Sequence, residues 1–347
     1  IEGLPAGFSL NQEAINHQLW RRQQGFGRGG RMKIENDKIE ISSGLRGGFT
    51  MGSPLTLQIH NKDFANRKGT MDPWQPSAEP PVTLPRPGHA DFAGAIKYGT
   101  TDIRNILERA SARETAIRVA VGAVCRQFLE ALGITLKSRV LQIGSVKDQR
   151  FFPEFKLFTD TDESPVRCNH SETSQLMMDS IRDAQKNGVS IGGIFQIFAD
   201  GMPVGLGTHV HWERRLDSQI AAQILSIPAI KGLEFGLGFQ QADLTGEKVH
   251  DPFNDKSRDS NNAGGLEGGI SNGMPIWFQA VMKPIPTLAK PLNSKDLQTG
   301  KIASAFKERT DACAVPAAAI IAENLTAIPL LQEIQRKFGG DNWNELN

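Results

Sequence analysis

The sequence predicts an α+β fold in which antiparallel sheets flank a helical layer. Short segments of alternating apolar residues, separated by glycine turns, indicate antiparallel strands, and residues 55–61 and 276–282 are the clearest of them. Amphipathic segments with recognisable caps indicate helices that pack against these sheets. No change in composition divides the 347 residues, so we expect a single domain over residues 1–347.

Charge is distributed unevenly along the chain. Residues 1–150 contain 21 Lys and Arg against 14 Asp and Glu, hence +7, and the remainder contains 18 against 24, hence −6. The first part should therefore attract an anionic ligand. No apolar run approaches the length of a membrane span, so we expect no membrane partner. Three cysteines without Cys-x-x-Cys spacing indicate free thiols in a reducing cytoplasm.

The other predicted elements follow in chain order. We expect a helix over 11–22, a hairpin over 31–41 that turns at Asn36-Asp37, a strand near 139–146 and a helix over 216–226. A helix over 171–187 should direct four residues inward, Leu176, Met177, Ile181 and Ala184. Residues 243–265 suggest a mobile loop and a possible lid. The last helix should begin near Pro316 and break at Pro329.

Glycine and proline punctuate three of the predicted strands. The segments are GGFTMGSP before residues 55–61, GGIFQIFADGMP at 192–203 and GGISNGMP before residues 276–282. Three similar entries into strands suggest repeated antiparallel units, although the shared pattern is too short to prove duplication.

Residues 86–129 carry the clearest signal for a binding site. A capping box at Ser111 and Glu114 begins a predicted helix, and Gly133 is placed to end it. The apolar positions recur every three or four residues, at Ile117, Val121, Val124, Phe128 and Leu132. A neighbouring element should pack closely on the small residues of this helix, Ala116, Ala120 and Ala123.

The start of this helix favours an anion such as a phosphate or carboxylate. Free backbone N–H groups and the positive end of the helix dipole meet several basic side chains, namely Lys97, Arg104, Arg109 and Arg113. Each arginine alone could be an ordinary solvated charge, and His89 alone could be a turn residue. Beside an anion, His89 could donate a proton to a leaving group near neutral pH.

A basic glycine loop lies at residues 21–33. Its glycines let the backbone wrap closely around an anion, with the cations supplied by Arg21, Arg22, Arg28, Arg31 and Lys33. A disordered RNA-binding segment rich in arginine and glycine is the alternative interpretation. The loop is short, lies between predicted elements and contains one aromatic residue, which argues against RNA binding.

Two further groups of residues could carry chemistry. Thr208-His209-Val210-His211 would place two imidazoles on one face of a strand, as in some metal sites, but no third ligand is suitably spaced apart from the weak pair Cys168 and His170. We therefore predict a plain strand there and no bound metal. Arg309 and Asp311 precede the helix at Pro316, where they could hold an anion and a proton, or serve only as a cap.

The sequence resembles the chorismate synthase family over nearly its whole length. Several long and unusual motifs of that family occur in the same order: RRQQGFGRGGRMKIE, RPGHAD, SARETAIRVAVGAV, SIPAIKG, NNAGGLEGGISNGMPI, VMKPIPT and ERTDACAVPAA. The resemblance implies a β-α-β sandwich, usually assembled as a homotetramer, which agrees with the sheets predicted above.

The resemblance also implies the reaction. Enzymes of the family are lyases that convert 5-enolpyruvylshikimate 3-phosphate into chorismate and phosphate by anti-1,4 elimination, the last step of the shikimate pathway. They require reduced FMN although no net oxidation or reduction occurs, and NADPH is a possible reductant of that flavin. The implied partner is a small-molecule substrate, with no nucleic acid and no membrane, in the cytoplasm.

The family motifs assign roles to residues of this sequence. His89 and Asp311 would be catalytic, and the substrate and the nicotinamide nucleotide would be bound by Arg22, Arg28, Arg31 and Arg86. FMN would be bound by Arg109, Ala110, Ser111, Pro228, Ala229, Gly268, Lys283, Pro284, Ile285, Pro286, Thr287 and Arg309.

Three departures from the family pattern affect these expectations. A Gly-Glu-Ser-His-Gly motif, which supplies a second histidine near the family's N-terminus, precedes the equivalent of Ile1, so we expect that the sequence lacks it. Ala110 replaces a common serine and removes one hydroxyl donor. Pro228 stands where an amide is common, so any contact there must come from the backbone.

Overall fold

The computed structural model describes residues 1–29, 36–255, 257–308 and 311–346. The helices are α1 (Gln12–Gln23), α2 (Asp91–Tyr98), α3 (Arg104–Arg109), α4 (Thr115–Ala131), α5 (Ser171–Asn187), α6 (Leu216–Leu225), α7 (Gly246–Val249), α8 (Val315–Phe338) and α9 (Trp343–Leu346). The strands are β1 (Ile39–Ser43), β2 (Leu45–Arg46), β3 (Phe49–Thr50), β4 (Thr56–Ile59), β5 (Thr135–Ile143), β6 (Val146–Lys147), β7 (Gly193–Asp200), β8 (Ile230–Phe235), β9 (Leu266–Glu267), β10 (Ile270–Ser271), β11 (Ile276–Met282), β12 (Asn293–Lys295) and β13 (Ile302–Ser304).

A five-stranded antiparallel sheet forms one layer, in the order β6-β5-β7-β11-β8. The side chains of β7 and β11 alternate between its two faces, and Phe195, Ile197 and Phe278 are completely buried. The helices cover that face, where α8 packs on β5 and β7 and also contacts α1, α4 and α6. The buried face of the sheet therefore supports one central helix.

A second antiparallel pair covers the other side of the helical layer. Strand β1 pairs with β4, with Ile39 opposite Ile59, and this pair packs against α1 and α4. Helices thus lie between two antiparallel sheets, which confirms the predicted α+β sandwich. The expected hairpin at Asn36-Asp37 is not supported, because β1 finds its partner in β4; residues 31–35 lie outside the described ranges.

Close contact between α4 and α8 determines which face of α4 is buried. A Cβ atom on Gly122 would lie 2.2 Å from the carbonyl oxygen of Asn324, so only glycine permits this approach. The predicted small-residue face is confirmed, since Ala116, Ala120 and Ala123 are buried. The predicted apolar stripe is wrong in its first turns: Ile117 is exposed and Val121 is half-buried, because the face turned to α8 is the small one.

Helix α8 continues through Pro329, where the sequence predicted a break. Proline removes one backbone donor, but the surrounding protein encloses most of the helix and holds it in register. Among the described residues, α8 is the one helix long and apolar enough to cross a membrane, contrary to the expectation of no such run. Of that apolar stretch 89% is buried inside the protein, as in a core helix.

A buried carboxylate on α8 ties this helix to its neighbours. Glu323 is completely buried, and its oxygens contact Arg21 of α1, Arg126 of α4, Arg167 and the hydroxyl of Ser138 on β5. The Arg21 Nη1 to Glu323 Oε1 distance is 2.6 Å. Burial alone would raise the pKa of Glu323, but the positive charge of the three arginines outweighs burial and holds it well below its ordinary value. We call these five residues the core network.

Several other predictions can be compared with the structure. The helices expected over 11–22, 171–187 and 216–226 are confirmed to within a residue at each end. On α5, however, Leu176 is exposed, and Ser174 takes its expected place in the interior. The sequence predicted that each of the three glycine segments leads through a proline into a strand. This prediction is confirmed for β4 and β11, but in the second segment the strand β7 comes before Met202-Pro203.

Residues 243–265 are extensively hydrogen-bonded in the part of this segment that the structure describes. The side chain of Asp251 accepts hydrogen bonds from the backbone N–H groups of Asn262 and Ala263, at 2.7 and 2.9 Å. The indole Nε1 of Trp277 donates to the carbonyl oxygen of Asn261 at 2.8 Å. These contacts fasten the segment to β11, whereas the sequence suggested a mobile loop.

Candidate active site

A cleft of about 670 Å³ lies where the loops of both layers meet. It is bounded by the starts of α4 and α8, the glycine loop, the segment 61–71, the turn 86–90, the residues that precede β8 and the residues that follow β11. Its size falls within the range of roughly 300–1,000 Å³ that is typical of small-molecule and cofactor sites.

Most of the site residues predicted from the sequence line this cleft. They are Arg22, Arg28, Arg86, His89, Ala110, Ser111, Pro228, Ala229, Lys283, Ile285, Pro286, Thr287 and Asp311. Of the remaining described residues, Arg109, Gly268 and Pro284 are not part of the lining; Gly268 lies in the turn between β9 and β10. Arg31 and Arg309 lie outside the described residues.

His89, Arg86 and Asp91 form a compact group on one wall. The Arg86 Nε atom donates to Asp91 Oδ2 at 2.9 Å, and the Arg86 backbone N–H donates to the same oxygen at 3.0 Å. The other carboxylate oxygen, Oδ1, contacts Nδ1 of His89. Asp91 has no exposed surface, whereas 16% of the His89 side chain is accessible from the cleft. We call this group the cleft triad.

The charge of Asp91 is fixed by its neighbours. Burial alone would raise the pKa of this carboxyl, but hydrogen bonds from His89 and Arg86 outweigh burial and hold it well below its ordinary value. The Arg86 guanidinium also contacts Thr287 Oγ1 at 2.9 Å and Glu308 Oε2 at 3.2 Å. Arg86 therefore joins the turn 86–90 to two other segments of the cleft.

Asp311 contacts the glycine loop. Its Oδ1 accepts a hydrogen bond from the backbone N–H of Gly29 at 2.6 Å, and its Oδ2 lies 3.3 Å from Arg28 Nε. A Cβ atom on Gly27 would lie 2.7 Å from a methyl carbon of Ile181, and its φ is 88°. The loop thus needs glycine at position 27, as its composition suggested.

Hydrogen bonds and an ion pair fix the position of Arg22, near the end of α1. Arg22 donates from Nε to Thr115 Oγ1 at 3.0 Å and from Nη2 to the carbonyl oxygen of Ala112 at 2.9 Å. Arg113 pairs with Asp37 at 2.7 Å, and Arg22 lies 3.7 Å from the same carboxylate. These contacts argue against a disordered RNA-binding segment for residues 21–29.

The predicted cap at the start of α4 is partly correct. The hydroxyl of Ser111 accepts from the backbone N–H of Arg113 at 3.3 Å, but Glu114 pairs with Arg118 instead of returning to Ser111. A turn of 3₁₀ helix, Ala112–Glu114, precedes α4. The helix therefore presents its first turn, with Ser111, to the cleft.

An apolar wall faces the basic side chains. Helix α8, the loop before β8 and the loop after β11 supply it, through Ile227, Ile285, Pro286, Ala314, Ala317, Ala318 and Ile321. Ala229, at the end of this wall, has a φ of 69°, a left-handed conformation that alanine rarely adopts. The carbonyl oxygen of Ala229 accepts from the backbone N–H of Lys283 at 2.9 Å, which holds the two loops together.

Sequence reasoning missed several residues of the cleft. Arg67 lines it and bridges Glu108 and Glu308, with N to O distances of 3.1 and 3.2 Å. Phe64 also lines the cleft. These residues lie in segments without a motif, and only the long-range pairing of the chain brings them to the site. Asp91, the aspartate of the RPGHAD motif, lies only two residues after His89, so the sequence did offer a signal for it.

The cleft and its surroundings do not form a metal site in the part of the chain that the structure describes, where no group of three or more suitable ligands occurs. The segment from Thr208 to His211 forms a turn, so the predicted strand with two imidazoles on one face is wrong. Both histidines there are exposed.

Comparisons with known proteins agree with the motifs. The family model described as chorismate synthase matches residues 1–334. The chain is 49% identical to the chorismate synthases of Geobacillus kaustophilus and Bacillus pumilus, and each alignment covers 98% of this chain and 91% of the relative. A solved crystal structure of a chorismate synthase is 39% identical, with a TM-score of 0.79, over 99% of this chain and 89% of that one.

Proposed function

The chain belongs to the chorismate synthase family, a family of lyases that catalyse the final step of the shikimate pathway, and we propose that the cleft described above is its active site. There 5-enolpyruvylshikimate 3-phosphate is converted into chorismate and phosphate by anti-1,4 elimination. One observation carries this proposal: the motifs of the family, which are far apart in sequence, converge on one cleft with a basic side and an apolar side.

Reduced FMN fits this cleft. A flavin ring is flat and largely apolar, and the wall formed by α8, the loop before β8 and the loop after β11 offers such a surface. The phosphate of the cofactor is anionic, and Ser111, which caps the 3₁₀ turn before α4, and Lys283 on the loop after β11 offer donors to it. When bound, reduced FMN supplies electron density that helps phosphate leave and takes up the hydrogen that the substrate loses.

The substrate carries two carboxylates and a phosphate, so it needs several cations. Arg22 and Arg28 line the cleft from the glycine loop, and their contacts with Thr115 and Asp311 hold the guanidinium groups in fixed positions. We assign to them, with Arg31 and Arg86, the binding of substrate anions and of NADPH if it serves as reductant. Fixed cations stabilise the negative charge that develops on the leaving phosphate.

His89 and Asp311 are the candidates for proton transfer. Both line the cleft, and each contacts an arginine: His89 contacts Arg86 of its own motif, and Asp311 contacts Arg28 of the glycine loop. We propose that His89 supplies a proton that stabilises the reduced cofactor and that Asp311 assists proton removal.

Three further properties are proposed from the family. We propose that residues 1–347 act as one domain, because one hydrophobic cluster extends from Leu4 to Ile334.

We also propose that the protein is a homotetramer and that it is cytoplasmic. All three cysteines are free and buried, as expected in a reducing compartment. Light scattering of the purified protein tests the tetramer.

The proposed reaction can be tested directly. The full-length protein is assayed without oxygen, with chemically reduced FMN and 5-enolpyruvylshikimate 3-phosphate, and phosphate and chorismate are measured together. Equal amounts of both products are expected. Tight FMN binding without either product would contradict the proposal and would direct attention to Ala110 and Pro228. Repeating the assay with oxidised FMN and NADPH shows whether the protein reduces its own flavin.

A further inference from the structure

We propose that Asp91 is a positioning residue that fixes the proton of His89 on Nδ1 and leaves Nε2 to exchange protons in the cleft. The proposal rests on the function proposed above, in which His89 handles a proton. The family motifs assigned no role to Asp91, and the argument comes from the contacts of the cleft triad.

Both oxygens of Asp91 are committed as hydrogen-bond acceptors. Oδ2 accepts from the backbone N–H and from Nε of Arg86, at 3.0 and 2.9 Å. Oδ1 lies 3.3 Å from Arg86 Nη2 and in direct contact with His89 Nδ1. Asp91 is the first residue of α2 and has no exposed surface, so water does not compete for these oxygens.

These contacts determine the tautomer of His89. The lowered pKa of Asp91 keeps the carboxyl ionised at neutral pH, and an ionised carboxylate can only accept. The hydrogen between the two groups must therefore be on Nδ1 of His89. Arg86 Nη2 lies 3.1 Å from Nδ1 and 3.3 Å from Nε2, but arginine only donates, so it offers neither ring nitrogen an alternative acceptor. In the neutral ring, Nε2 then carries the lone pair.

Replacement of Asp91 by asparagine should reverse this arrangement without changing the shape of the site. Two donors of Arg86 point at the Oδ2 position, so the single amide oxygen of asparagine must take that place. The amide NH₂ group is then directed toward His89 Nδ1. Because this group donates, Nδ1 must accept, and the proton of the neutral ring moves to Nε2.

Nuclear magnetic resonance of protein labelled with ¹⁵N in its histidines measures the tautomer without substrate or flavin. The His89 signal is identified by its loss in His89→Gln. We expect the neutral ring of His89 to be protonated on Nδ1 in the wild type and on Nε2 in Asp91→Asn. A wild-type ring protonated on Nε2 would overturn the proposal, and this measurement remains decisive if Asp91→Asn does not fold.

Kinetics provide the second measurement. Turnover of Asp91→Asn should fall by roughly 10²- to 10⁴-fold, the usual contribution of a correctly oriented acid or base, while FMN affinity changes by less than about threefold. Wild-type turnover in a variant whose tautomer has reversed would contradict the proposal. Failure of the wild type to form chorismate would instead contradict the proposed function and leave the tautomer result valid.

Asp102→Asn is the matched control. Asp102 lies two residues before α3, accepts from the backbone N–H of Arg104 at 3.2 Å and pairs with the Arg104 guanidinium at 2.8 Å, as Asp91 does with Arg86. It is not among the residues that line the cleft. Turnover of this variant should stay within about twofold of the wild type, because its arginine pair touches no catalytic group. An equal loss in both variants would show that Asp91 acts only through stability.

Discussion

Two buried carboxylates, Glu323 in the core network and Asp91 in the cleft triad, have nearly the same surroundings. Both are completely buried, and both have a pKa that burial alone would raise but that neighbouring donors hold low. They differ in the other groups of each network. Glu323 contacts three arginines and a serine hydroxyl, whereas Asp91 contacts one arginine and a histidine.

This difference separates a structural network from a functional one. Arginine does not lose its proton near neutral pH, so every charge of the core network is constant and the network can only hold α1, α4 and α8 together. Histidine gains and loses a proton in that range. The cleft triad therefore contains a histidine, a type of side chain that can pass on a proton, and this histidine lines the cleft.

The largest effect expected from this comparison is on stability, in Glu323→Gln. This change leaves Arg21, Arg126 and Arg167 together in the interior without their shared counter-charge. Removing one partner of a buried ion network costs about 3–5 kcal/mol. Urea unfolding should show a large fall in the midpoint with an unchanged slope.

Glu130→Gln is the control for that variant. Glu130 pairs with Arg126 as well, but its side chain is 46% exposed. An exposed pair contributes about 1 kcal/mol at most. If both variants lost the same stability, the core network would hold the helices no better than a surface pair.

The second-largest expected effect is on activity, and it concerns the cleft. Asp311→Ala should lower turnover about 10²-fold, because Asp311 is proposed to assist proton removal, and should largely spare FMN binding. Steady-state kinetics and a flavin titration measure the two quantities. Asp179→Ala, which removes an exposed partner of Arg182 on α5, is the control. Wild-type turnover in Asp311→Ala would remove this residue from the mechanism.

Local signals in the sequence account for what could be predicted. The helix α1 was predicted over 11–22, and the structure caps it with Asn11 and buries Ile15 and Leu19, which are a few residues apart. The cleft was recognised because its motifs contain unusual glycines and arginines. Both kinds of signal lie within a short stretch of chain.

Long-range pairing accounts for what could not be predicted. The exposed side of α4, with Ile117, follows from Gly122 packing on a helix about 200 residues later in the chain. Arg67 reaches the cleft because it pairs with Glu308, 241 residues away. The core network likewise joins residues from distant segments, and nothing near Glu323 in the sequence distinguishes it from a surface glutamate.

Lowering the pH should remove the stabilising contribution of the buried carboxylate in both networks. The folded-state pKa of Glu323 lies below the value of about 4.3 for an unfolded glutamate, so its contribution is complete above about pH 5 and is lost as the pH falls toward the folded value. In Glu323→Gln, the slope of stability against pH between 4 and 3 should therefore decrease by about 1 kcal/mol per pH unit. Urea unfolding at several pH values measures it, and an unchanged slope would mean that Glu323 does not titrate on unfolding.

The smallest effect concerns backbone strain, which also occurs in both regions. Arg167 in the core network and Ala229 at the cleft have positive φ values, 59° and 69°. Glycine at 167 would remove a guanidinium, but glycine at 229 removes only a methyl group. Because the left-handed conformation costs an L-residue about 1 kcal/mol, Ala229→Gly should stabilise the protein by up to that amount.

The same substitution at Ala222, exposed in the middle of α6, should have the opposite sign and destabilise the protein by about 1 kcal/mol. Thermal unfolding of the two variants measures the difference. A loss of stability in Ala229→Gly as large as in Ala222→Gly would mean that the methyl group of Ala229 packs well enough to offset the strain.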